Sequence, residues 1–107
     1  MTLADLLTPA RVIDEMQSDE QFPAIAELVA GLVASGSLAS TQEATALAAL
    51  TAREEQRSTG IGGGVAIPHS FLPGLESVVA IFGRSSKGID FSAADRAPVH
   101  FVVLFLV

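Results

Sequence analysis

Between positions 18 and 36 the apolar residues Phe22, Ile25, Leu28, Val29, Leu32 and Val33 recur at three- and four-residue steps, which places them on one face of an α-helix. Ser18-Asp19-Glu20-Gln21 ahead of them has the Ser-x-x-Gln form of a capping box, with acids where the helix dipole favours them. Pro23 falls in the first turn, where a missing N–H matters least, and Gly36 is the natural stop. A second helix is predicted from Ser40, with Glu43 as its capping-box partner, through Ala44, Leu47, Ala48 and Leu50 to Glu54. Its many alanines predict close packing on a neighbour. Upstream, Leu3, Leu6 and Leu7 predict a short turn of helix. Val12 to Met16 alternate poorly after Pro9, which predicts a strand at a sheet edge.

After Gly60 the period shortens. Val65-Ala66-Ile67 reads as a short strand ended by Pro68, and Val78-Val79-Ala80-Ile81-Phe82 as another. A turn at Ser85-Ser86-Lys87-Gly88 then leads to a short strand at Ile89-Asp90-Phe91. Val99 to Leu106 is apolar on both pleat faces apart from His100, which predicts a central strand covered on both sides. The expected fold class is α/β, a mixed β-sheet flanked by helices in one domain spanning residues 1–107.

Composition narrows the functions open to such a domain. The 107 residues are 50% hydrophobic, enough for one small core and too apolar for disorder. The lack of cysteine excludes a disulfide scaffold, a thiol nucleophile and cysteine-based zinc or iron–sulfur sites. Six basic against twelve acidic residues leave a net charge of -6. That balance opposes nucleic acid and anionic membranes, and it suits a basic protein partner. The apolar run Phe101 to Val107 is far shorter than the ~20 residues of a spanning helix. Asp5 and the absence of a basic leader argue against a signal peptide, so the expected compartment is the cytoplasm.

Chemistry concentrates between Arg53 and Ser70. The glycines Gly60, Gly62, Gly63 and Gly64, which follow Thr59, allow positive φ and a close approach of backbone N–H groups to an anion. His69 follows the stiff Pro68 and is available as a nucleophile. Arg53 and Arg57, two of six basic side chains, precede the loop and suit bidentate capture of phosphoryl oxygens. On residue type alone, the glycine run is more often a tight turn than an anion nest, and a lone histidine more often structural than catalytic. The segment lacks the third glycine of a dinucleotide fingerprint, where Val65 stands, and the Gly-Lys-Ser/Thr of a P-loop. His100, between Val99 and Phe101, reads as a sheet-face histidine satisfied by a hydrogen bond. Two histidines without a spaced carboxylate make a weak zinc case. A hydrolase built on His69 with Ser58 or Ser70 lacks a carboxylate to orient the imidazole.

Arg53…Ser58-Thr59-Gly60-Ile61-Gly62 followed by Val65-Ala66-Ile67-Pro68-His69 resembles the active-site segment of the fructose/mannitol-type enzyme IIA domains of the bacterial sugar phosphotransferase system, whose nitrogen-regulatory relatives share the family. The resemblance extends to Leu3-Ala4-Asp5-Leu6-Leu7, Gly88-Ile89-Asp90-Phe91 and Pro98-Val99, and so to nearly the whole chain. It implies a phosphoryl relay without cofactor or metal. His69 would accept the group from the phosphocarrier HPr and pass it to an enzyme IIB or a regulatory target, with Arg53 steadying the phosphoryl oxygens. Thr59, Gly60, Gly62, Gly63, Gly64 and Ser70 are the candidate phosphoryl loop, and Ile61, Phe71 and Leu72 a candidate apolar docking patch. The chain departs from the pattern in two places. Ser70 stands where a very small residue is usual, and the family's later segment with its second histidine and packing helix is expected to be missing after Val107. His100 does not match that second histidine. A domain so shortened is expected to form a homo-oligomer through its last strand. The alternative reading is a non-catalytic regulatory module that binds partners without phosphotransfer.

Overall fold

The computed structural model describes residues 8–107. The predicted helical turn at Leu3, Leu6 and Leu7 lies outside them. A 3-10 turn at Pro9–Arg11 leads into strand β1 (Val12–Ile13). Helices α1 (Gln21–Ala34) and α2 (Glu43–Gln56) follow, and then strands β2 (Gly60–Gly62), β3 (Val65–Ala66), β4 (His69–Ser70), β5 (Val79–Ile89) and β6 (Val99–Leu106). The six strands form one mixed sheet in the order β1-β5-β6-β3-β2, with β4 also paired to β6. β5 and β6 run antiparallel, whereas β1 on β5 and both β3 and β4 on β6 are parallel. The expected α/β fold with a mixed sheet is what the chain adopts, with β1 at the sheet edge.

Both helices cover the same face. Ile25, Leu28, Val29 and Leu32 of α1 and Ala46 and Leu50 of α2 join Ile81 of β5 and Val102, Leu104 and Leu106 of β6 in one buried cluster. The alternate residues of β6 point the other way, so the described helices cover this strand on one of the two faces that its apolar pattern presents. Phe101 is 44% exposed, Val103 and Phe105 are half-buried, and Phe82 stacks on Phe101 at 6.1 Å. Among the described residues no helix lies over that face.

Both capping boxes fail, for an identifiable reason. The Ser18 hydroxyl donates to Glu27 Oε1 at 2.8 Å, and the Ser18 and Gln17 amides bond the same carboxylate. Glu27 thus holds the incoming chain, and α1 starts at Gln21 with Glu20 as an N-cap that makes no side-chain bond. At the second helix a 3-10 turn, Ser40–Gln42, precedes α2, and Gln42 Oε1 accepts from the Ala39 amide. α2 then runs on to Gln56, two residues past its expected end at Glu54.

The largest correction concerns Ser85-Ser86-Lys87-Gly88, which is no turn. β5 runs through it unbroken, absorbing the polar residues as a register shift between Arg84 and Ile89. The buried Ser85 hydroxyl accepts the Gly88 amide at 3.0 Å. The Ser86 amide and hydroxyl bond the Glu15 carboxylate, and Lys87 Nζ donates to the Gln17 carbonyl. The polar side chains are spent on the chain preceding α1, so the strand is continuous through Ile89 and Ile89-Asp90-Phe91 is no separate strand. Among the described residues no helix is long and apolar enough to cross a membrane.

Candidate functional site

A cleft of about 390 Å³ opens where the C-terminal end of α2 meets the sheet edge at β2 and β4. Arg53 lines it from α2, and Arg57, Ser58, Thr59, Gly60 and Ile61 line it from the following segment. Ile67 and His69 form the opposite wall, with Ala94 at the margin. The structure therefore brings together His69, Arg53, Arg57, Thr59 and Gly60. It does not bring Gly62, Gly63, Gly64 or Ser70 to the cleft lining. The three glycines have φ of 96°, 68° and 80° and turn the chain from β2 into β3, a tight-turn geometry that glycine adopts at no steric cost. Ser70 is the second residue of β4, its hydroxyl 3.5 Å from the Phe71 carbonyl.

His69 is half-buried, and its ring is held on two sides. It stacks on Phe105, its register partner across β4 and β6, with centroids 4.9 Å apart and planes 8° from parallel. Nδ1 lies 2.8 Å from the Ile67 carbonyl oxygen. A carbonyl only accepts, so this contact puts the ring proton on Nδ1 and leaves the free lone pair on Nε2. With that tautomer, Nε2 is the ring nitrogen that has a lone pair to offer.

The backbone around the cleft is not an open anion nest. The Thr59 amide donates to Glu54 Oε2 at 2.7 Å and its hydroxyl to Glu54 Oε1 at 2.7 Å. The Gly60 amide donates to Ser58 Oγ, which in turn donates to the Phe91 carbonyl at 2.6 Å. The Gly63 amide donates to Asp95 Oδ2. Three amides of the glycine-rich segment, those of Thr59, Gly60 and Gly63, are thus engaged inside the protein. The guanidinium groups of Arg53 and Arg57 are the cationic donors on the cleft wall. Arg53 Nη1 donates to the Arg57 carbonyl at 2.8 Å, which ties its side chain to the chain leaving α2.

His100 lies apart from this cleft. Its Nδ1 is 2.7 Å from the Ser85 carbonyl, the satisfied sheet-face histidine that its apolar neighbours predict. Of the expected apolar docking patch, Ile61 and Phe71 are 60% and 69% exposed, while Leu72 is buried in the core. Asp95, which accepts the Ala97 and Gly63 amides, is held below the usual aspartate range by those bonds. Sequence reasoning passed over Glu54 and Phe105. Glu54 carried a signal: it continues the buried stripe Ala46, Leu50, Glu54 at four-residue spacing. Phe105 had none, because its contact with His69 depends on the strand register.

Known proteins place this geometry. A nitrogen regulatory protein of Bradyrhizobium diazoefficiens is 34% identical over 106 residues, which cover 99% of this chain and 67% of the relative. The fructose-specific EIIABC component of the Bacillus subtilis phosphotransferase system is 36% identical over 104 residues, 97% of this chain and 16% of that much larger protein. The crystal structure of the nitrogen regulatory protein IIA-Ntr from Neisseria meningitidis superposes with a TM-score of 0.84 at 30% identity, covering 96% of this chain and 68% of that one. The chain thus spans about two thirds of the length of the nitrogen regulatory relatives. Residues 5–107 match the family described as phosphoenolpyruvate-dependent sugar phosphotransferase system, EIIA 2, and the chain belongs to that family of enzyme IIA domains.

Proposed function

We propose that the protein is a phosphoryl carrier whose acceptor atom is Nε2 of His69. The observation that carries this reading is the 2.8 Å contact between Nδ1 and the Ile67 carbonyl, which leaves Nε2 with the free lone pair in a ring lining the same cleft as two arginines. The donor is a phosphohistidine on an HPr-type protein. In the transfer, Nε2 forms the new N–P bond as the donor N–P bond breaks and its electron pair returns to the donor imidazole. The positive charge that develops on the His69 ring rests beside the Ile67 carbonyl, which accepts the Nδ1 proton's hydrogen bond throughout. Phe105 keeps the ring in plane. Phosphoryl transfer needs positioning and charge neutralisation more than covalent help, and the guanidinium groups supply both.

The onward acceptor is an enzyme IIB or a regulatory protein, in keeping with fructose-specific and nitrogen regulatory relatives of similar identity. Exposed Ile61 beside the cleft and Phe71 next to β4 offer apolar contact for a docking protein. The net charge of -6 favours encounter with a basic carrier. The test is incubation with phosphoenolpyruvate, enzyme I and HPr, followed by intact-mass measurement. The wild-type chain is expected to gain one acid-labile phosphoryl group and His69→Ala none. A gain in His69→Ala would move the acceptor elsewhere, and no gain in the wild type would favour a module that binds partners without transfer.

A further inference from the structure

Glu54 is a buried charged side chain, 3% exposed, that the carrier reading leaves unused. It sits in the last turn of α2, and its carboxylate accepts three hydrogen bonds from two other parts of the fold. Gln21 Nε2, at the first residue of α1, donates to Oε2 at 2.6 Å. The Thr59 amide donates to Oε2 and the Thr59 hydroxyl to Oε1, both at 2.7 Å. Thr59 lines the His69 cleft. We propose that Glu54 is a positioning residue for phosphoryl transfer: it pins the segment leaving α2, so that the Arg57 carbonyl stays where it holds the Arg53 guanidinium. This rests on the carrier reading of His69.

The chain of contacts is continuous. Arg53 Nη1 is bonded to the Arg57 carbonyl, and only Ser58 separates Arg57 from Thr59, which Glu54 grips at both amide and hydroxyl. Release of Thr59 frees that carbonyl and, with it, the guanidinium. In an in-line transfer a displacement of about 1 Å can slow the reaction roughly 100-fold. The docking surface for the donor protein is untouched by this, so the loss falls on kcat and leaves KM for HPr unchanged.

The role is geometric, and an amide can fill it. In Glu54→Gln an oxygen at the Oε2 position still accepts from Gln21 and the Thr59 amide. The nitrogen at the Oε1 position donates to the Thr59 hydroxyl, which reverses its own proton. Glu54→Ala keeps none of the three bonds, and Thr59→Val removes one while preserving shape. The experiment measures kcat and KM for phosphorylation by HPr, together with amide hydrogen exchange at Thr59 and Gly60. Glu54→Gln is expected to match the wild type in both. Glu54→Ala is expected to lose roughly 10- to 100-fold in kcat at unchanged KM, and its Thr59 amide to exchange roughly tenfold faster or more. Thr59→Val is expected to lose kcat in the same direction with its fold intact, and it serves as the test if Glu54→Ala does not fold. Equal loss in Glu54→Gln and Glu54→Ala, unchanged kcat in Thr59→Val, or unchanged exchange in Glu54→Ala would overturn the proposal. A wild-type chain that takes no phosphoryl group overturns the carrier reading instead, and the exchange data then decide on the tie by themselves.

Discussion

The glycine-rich segment divides at Gly60, and two substitutions separate its halves. A Cβ built on Gly60 would lie 2.8 Å from Ala93 Cβ and 2.9 Å from Ala93 Cα. Ala93 has little freedom to retreat, because the neighbouring Ala94 amide donates to the Gly60 carbonyl at 3.1 Å. Gly60→Ala is therefore an overpacking substitution that forces backbone to move, at about 1–3 kcal/mol. For a domain near 100 residues that is a fall of roughly 4–24 °C in Tm. Because Gly60 and Ala94 both line the cleft, phosphoryl acceptance at His69 is expected to fall as well. At Gly63, φ is 68° and nothing lies within 4 Å of a built Cβ. Asparagine tolerates that left-handed conformation, so Gly63→Asn is expected to cost no more than about 1 kcal/mol and to leave transfer unchanged. Urea unfolding followed by circular dichroism gives the stability of each variant, and rates of phosphorylation by HPr give the second readout. If Gly63→Asn lost transfer as severely as Gly60→Ala, the division would be wrong and the later glycines would belong to the phosphoryl site.

Arg53→Lys keeps the charge but loses the guanidinium fork, at about 1.5–3 kcal/mol for a charged hydrogen bond. Rates of phosphoryl acceptance are expected to fall roughly 10- to 100-fold with the fold intact, and an unchanged rate would shift the role to Arg57. Leu104→Ala empties a fully buried position on the helix-covered face of β6 and is expected to lose about 2–5 kcal/mol in urea unfolding. The Ser86 hydroxyl, and then its amide, hold Glu15 below its ordinary value of 4.5, with smaller help from Arg84 and Lys87. A lowered folded-state pKa means the contact's contribution is present above 4.5 and fades as pH falls through the folded value. Ser86→Ala is expected to bring the Glu15 titration back towards 4.5 in an NMR pH series, and an unmoved midpoint would refute the attribution.

Much of this fold was legible because its strongest signals are periodic. The apolar stripe of α1 and the dense run of β6 needed no long-range information. The misreadings came where polar residues have two local uses. Ser18 looks like a cap, but a carboxylate nine residues ahead competes for it and wins. Ser85 to Gly88 has turn composition, yet Glu15 and the Gln17 carbonyl, about 70 positions away in sequence, bind Ser86 and Lys87 within a strand that continues through them. At the site, the spacing of Arg53, Thr59, Gly60 and His69 was readable, whereas the commitment of the loop amides to Glu54, Ser58 and Asp95 was not. Those bonds leave Arg53 and Arg57, rather than the Thr59, Gly60 and Gly63 amides, as the donors for the anion of the proposed transfer.

Phosphoryl carriage by His69 is tested most directly by finding which ring nitrogen, if either, takes the phosphoryl group. Phosphorylation of the ¹⁵N-labelled protein by HPr, followed by ¹⁵N and ³¹P NMR of the histidine ring, makes that assignment. The Nδ1 bond to the Ile67 carbonyl predicts phosphorus on Nε2, with the Nδ1 proton retained. Phosphorus on Nδ1, or on a residue other than His69, would contradict it.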